Sequence, residues 1–184
     1  LGGVDVRDVT ISAVRARVGL VTQESHLFGA SVRDNLTLFD ERVPDARLVA
    51  VLDDVGMGPW LRDLPDGLDT KLGAGGLGPS AGQTQVLACA RLLLREPDVV
   101  ILDEPSSRLD PATERQVHQA FGRLLQGRTG IIVAHRLSTF SLVDDILLME
   151  NGEVREHGPR LELAADPGSR YAALLRVAAG KVVA

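Results

Sequence analysis

The chain has 184 residues, 45% of them hydrophobic and 24% charged, with a net charge of -5. That is long enough for one domain with a real core, and the acidic balance gives no reason to expect nucleic acid as a partner. The single Cys89 excludes an internal disulfide and a multi-thiolate metal centre, no apolar run reaches the roughly 20 residues of a membrane span, and no basic-then-apolar signal segment opens the sequence.

The sequence enters at Leu1 on a Gly2-Gly3 turn, which reads as the C-terminal part of something longer. Val18 to Val21 is a short apolar run that reads as a buried strand, with Gln23 just past its end. Ser31 to Leu38 and Val43 to Val55 are helix-like, and Gly-rich Leu72 to Gly78 is a loop. Gly82 to Leu94 reads as a helix, because Val86, Leu87, Ala90, Leu93 and Leu94 share one apolar face. Cys89 falls on that helix and reads as a core thiol. Val99 to Leu102 is a continuous apolar strand of the kind buried on both sides in parallel sheets. The next helix starts at Asp110 as N-cap with Pro111 first, and Val117, Phe121, Leu124 and Leu125 form its core stripe. Ile131 to Ala134 and Ile146 to Met149 are two more strands, and Asn151-Gly152 turns the chain back through Glu153 to Arg155. Leu161 to Ala165 and Tyr171 to Val177 close the chain as helices. Strands alternating with helices predict an α/β fold with a mainly parallel sheet.

In open parallel sheets the ligand sits beyond the carboxyl ends of the strands. Gln23, Asp103, Glu104 and His135 each lie at or just past the end of an apolar run, a convergence that packing does not require. Asp103 can face a magnesium ion bound to a phosphate, and Glu104 can polarise a water in line with that phosphate. Pro79-Ser80-Ala81-Gly82-Gln83 opens a helix whose free N–H groups suit phosphate, and the same geometry makes Ser80 a helix cap. Asp110 is explained by its capping role alone. His26, His118 and His157 read as surface or satisfied core residues, and only its strand-end position separates His135 from them.

The order Gln23, Pro79 to Gln83, Asp103-Glu104, Ser107 to Asp110 and His135 resembles the Q-loop, signature, Walker B, D-loop and H-loop of the ATP-binding cassette (ABC) ATPases. Val21-Thr22-Gln23, the Leu27 to Asn35 stretch and Leu64 to Thr70 are similar to exporter-type members. The resemblance implies a P-loop NTPase-like, mainly parallel sheet flanked by helices, with a helical signature region over roughly 25–95 and an α/β core over 1–24 and 96–184. It implies that Glu104 and His135 are catalytic, and that Gln23, Ser80, Ala81, Gly82, Gln83 and Asp110 bind nucleotide. Asp103 and Gln23 would hold Mg2+, with ATP as the substrate.

The implied partners are a transmembrane domain of the same transporter and a second nucleotide-binding domain, homo- or heterodimeric, at the cytoplasmic face of the cell membrane. Ser80 and Gly82 would then serve the partner's ATP. A soluble ABC ATPase of DNA repair or translation, or an inactive remnant, is the alternative. Three departures from the family pattern stand out: Pro79 in place of leucine with Ala81 in place of glycine, Ala74 where many exporters carry glutamate, and, the largest, the absent P-loop. No Gly-x-x-x-x-Gly-Lys-Ser/Thr occurs, so the P-loop is expected upstream of Leu1, its strand missing from the sheet and the isolated fragment inactive. The expected result is a gap between Ile131–Val133 and Ile146–Met149, or direct pairing of the two.

Overall fold

The computed structural model describes residues 2–22, 25–73, 78–103, 111–134 and 137–181. Internal contacts divide the chain into two compact units, 1–133 and 134–184. The first unit runs α1 (Ile11–Arg17), β1 (Val18–Val21), α2 (Val32–Thr37), α3 (Asp45–Asp54), α4 (Gly58–Asp63), α5 (Ala81–Arg95), β2 (Val99–Asp103), α6 (Pro111–Leu125) and β3 (Thr129–Val133). Its sheet has the order β1-β2-β3 and is parallel throughout, with Val18 opposite Val99 and Val99 opposite Thr129. A parallel pair needs a long crossover, and the helices supply it.

The helices form where local chemistry favours them. Ser31 caps α2 by accepting from Asp34 N, while the Asp34 carboxylate accepts from Ser31 N, a reciprocal capping box. α3 buries Leu48 and Leu52, four residues apart on one face. α4 begins at Gly58-Pro59, where proline's fixed φ suits a first turn. The core gathers Leu48, Leu52 and Met57 with Val86, Leu87 and Cys89 of α5, and Val117, Phe121 and Leu124 of α6. Complete burial of one such side chain stabilises by about 1.5–3 kcal/mol. Cys89 is fully buried and burial pushes its thiol well above its ordinary range, as a core thiol requires.

Two burial expectations need correction. The inner face of α5 carries Cys89 and Leu92 in place of Leu93 and Leu94, which are half-buried, because α5 packs against α2 and α3 as well as α6. β2 is not uniformly buried: Val100 and Leu102 are covered, whereas Val99 and Ile101 are half-covered. β3 is still more open, with Ile131 and Val133 exposed. Among the described residues β3 pairs with β2 alone and Ile146–Met149 with Glu153–Pro159 alone, so the direct pairing of Ile131–Val133 with Ile146–Met149 is not formed.

The second unit contains a short 3-10 turn over Leu137–Leu142, then β4 (Asp145–Glu150), β5 (Glu153–Pro159), α7 (Arg160–Ala165) and α8 (Arg170–Lys181). β4 and β5 form an antiparallel hairpin whose turn holds Asn151 at φ 53 and Gly152 at φ 79, the pairing that twist-matched hairpins need. Glu156 on β5 anchors the start of α8, accepting from Tyr171 N at 2.8 Å, Arg170 N at 3.0 Å and Ser169 Oγ at 3.0 Å. Phe140 and Tyr171 meet edge to face with centroids 5.7 Å apart. No helix among the described residues is long and apolar enough to cross a membrane.

Candidate functional site

Asp103 is the last residue of β2, the central strand of the parallel sheet, and it is exposed. Leu102 lies opposite Val21 on one side, and Asp103 lies opposite Val133 on the other. All three strands therefore present their carboxyl ends at one edge, the usual ligand edge of an open parallel sheet. Gln23 follows β1 by two residues, Glu104 follows β2 directly, and His135 follows β3 by two. Gln23, Glu104 and His135 lie outside the described residues, as do Ala74, Asp110 and the Ser107 to Leu109 stretch before it.

The signature segment is described from Gly78 onward. Ser80 is the N-cap of α5: its Oγ accepts from Gln83 N at 3.2 Å, and Gln83 Oε1 accepts from Ser80 N at 2.8 Å. The amide of Gln83 is thereby turned back onto the cap. Ser80 and Ala81 are exposed, whereas Gly82 is buried. A helix entry of this kind, with positive dipole and first-turn N–H groups, suits an anionic phosphate. An exposed Asp103 carboxylate is the hard oxygen donor that magnesium takes while keeping most of its water. Among the described residues no group of three or more His, Cys, Asp or Glu side chains could hold a metal by itself.

A second feature lies on the segment that leaves β1. Asn35 is fully buried on α2, and its Nδ2 donates to the carbonyls of Phe28, Ala30 and Ser31 at 3.0, 3.3 and 3.0 Å. Its Oδ1 accepts from Phe28 N at 2.8 Å and from Arg91 Nη2 at 3.1 Å. Arg91 on α5 also donates to the carbonyls of Asn35 and of His26, and lies 5.9 Å from the Phe28 ring centroid. Burial lowers the Arg91 pKa from its usual value, which makes these acceptors necessary partners for the charge.

This clamp fixes residues 26–31 and leaves Phe28, Leu38 and Phe39 exposed, with the two phenylalanine rings edge to face at 5.6 Å. Leu38 and Phe39 both adopt positive φ, at 54 and 68. Motif reading alone does not find the clamp. Its signal is the i, i+3, i+4 set Val32, Asn35, Leu36, which puts an amide on the buried face.

A family model described as ABC transporter matches residues 1–107. The chain is 37% identical over 169 residues to the heterocyst differentiation ATP-binding protein of Nostoc sp., which covers 92% of this chain and 28% of that protein. It is 37% identical over 167 residues to the heavy metal tolerance protein of Schizosaccharomyces pombe, covering 91% of this chain and 20% of that protein. It is 39% identical over 171 residues to a multidrug resistance protein of Caenorhabditis elegans, covering 93% and 13% respectively. The chain thus spans well under a third of the length of these relatives.

Proposed function

Because this chain belongs to the ABC transporter family, we propose that it supplies the signature and hydrolytic residues of an exporter's nucleotide-binding domain. The observation that carries this reading is Asp103, exposed at the carboxyl edge of the central parallel strand, with the parallel flanking strands followed in sequence by Gln23 and His135. In this reading Glu104 takes a proton from water as that water attacks the terminal phosphate of ATP. The bond from the terminal phosphorus to the bridging oxygen breaks, and ADP leaves. His135 holds the terminal phosphate, and Gln23 senses its presence. Asp103 and Gln23 would hold magnesium, which when bound offsets the charge on the phosphate oxygens.

Ser80, Ala81, Gly82 and Gln83 form the phosphate-binding end of α5, and Ser80 and Gly82 act on the nucleotide of a second domain. Asp110 would bind nucleotide as well. The helical region over roughly 25–95 is the part that meets a transmembrane domain, and the exposed Phe28, Leu38 and Phe39 suit that contact: large apolar groups held in water are a mark of an interface. Similarity to proteins named for multidrug resistance and heavy metal tolerance supports export as the coupled process. The working location is then the cytoplasmic face of a membrane.

Glu104→Gln in the complete protein tests the assignment. Removing the base while keeping its size is expected to lower hydrolysis by about 10²-fold or more, with ATP binding retained. Hydrolysis at the unmodified rate would overturn the role given to Glu104.

A further inference from the structure

Gly82 is the second residue of α5, and the side chain it lacks would point into the protein. A β-carbon at this position would lie 1.8 Å from Thr113 Cγ2 and 3.3 Å from Thr113 Cβ, with Val117 Cγ2 at 3.7 Å. Carbon atoms pack at about 3.5–4.0 Å, so no methyl fits beside Thr113 without displacing it. Thr113 is β-branched and sits in the first turn of α6, where its χ1 is held to two main rotamers, so relief needs that side chain to change rotamer or the helices to move apart. The neighbouring Ala81 is exposed, so within the signature segment one residue faces outward and the next faces α6.

We propose that Gly82 is a positioning residue: its missing side chain lets the first turn of α5 seat directly on Thr113 of α6. α6 begins immediately after Ser107-Arg108-Leu109-Asp110. The α5 contact therefore ties the Ser80-Ala81 end of the signature to the helix that follows that segment in sequence, and both are presented to the second domain as one piece. The proposal deepens the nucleotide-binding reading above and rests on it. It adds to what is asked of Gly82, whose missing side chain here makes room for α6.

The test compares Gly82→Ala, Thr113→Ser, the double variant and Thr113→Leu in the complete protein, reading kcat and KM for magnesium-dependent ATP hydrolysis. Thr113→Ser deletes the Cγ2 methyl and keeps the hydroxyl. Gly82→Ala should lower kcat by roughly tenfold or more, since small misplacements of a reacting site are costly. The double variant should recover to within about threefold of Thr113→Ser alone. Thr113→Leu loads the same contact from α6 with the signature intact, and it should reproduce the loss in kcat even if Gly82→Ala fails to fold.

A double variant as slow as Gly82→Ala, or a Thr113→Leu protein with unmodified kcat, would overturn the proposal. If the unmodified protein hydrolyses no ATP, the nucleotide reading fails first and the positioning role with it. That result is distinct from failed rescue in an active protein.

Discussion

Asn35 shows how one amide can shape a surface that it does not reach. Its carboxamide satisfies three carbonyls and one backbone N–H of the segment leaving β1, and it shares its oxygen with Arg91. Buried polar groups cost far more when unpaired than they return when paired. Asn35→Ala strips partners from several of them at once and leaves the Arg91 guanidinium with fewer acceptors. We expect that substitution to lower stability by about 3 kcal/mol, a sum of such losses, read as a shift in the urea midpoint of the 184-residue chain. A midpoint equal to that of the unmodified chain would show that the clamp is dispensable. The residue scale is also where sequence reading is weakest. Ser80 and Asp103 are visible as a cap and as a strand end, because both roles are local. The Gly82 contact with Thr113 depends on where two helices cross, and no spacing rule conveys that.

Among the elements, those carried by continuous apolar runs are legible. β1, β2 and β4 fall where Val18 to Val21, Val99 to Leu102 and Ile146 to Met149 predict them. α1 and α4 are not legible, for different reasons. α1 is only seven residues long and buries none of them, while α4 starts at Gly58-Pro59, which reads as a break although proline is at home in a first turn. In the second unit α8 owes its docking to Glu156, whose pKa is lowered first by the Tyr171 backbone N–H and further by Arg170 N and Ser169 Oγ.

A carboxylate held below its ordinary value of 4.5 stabilises the fold above that pH, and the contribution is lost as pH falls through the lower folded value. We expect Glu156→Gln to flatten the acid side of the thermal-midpoint profile for this unit. An acid limb identical to that of the unmodified chain would remove Glu156 from the account.

For the molecule as a whole, the open edge of the sheet matters most. β3 reads Thr-Gly-Ile-Ile-Val without a charge, Ile131 and Val133 are 52% and 47% exposed, and among the described residues no strand lies on its outer side. Apolar edges without a charge or bulge pair readily with other chains. The 184-residue chain should therefore self-associate as its concentration rises, and Ile131→Lys should shift sedimentation toward the monomer. Equal self-association by both proteins would point to another surface.

The long reach of the β1–β2 pairing has a kinetic meaning as well. Arg17 and Asp98, which join just outside those strands, are 81 positions apart. Closing so large a loop is entropically costly before any strand contact forms, whereas α2 to α5 are built from near neighbours in sequence. Helices between the two strands can therefore settle early, and the sheet follows once they have drawn its distant strands together. The carboxyl edge that bears Asp103 is then among the last parts of this unit to take shape during folding, and the first to register a defect in the helices that precede it.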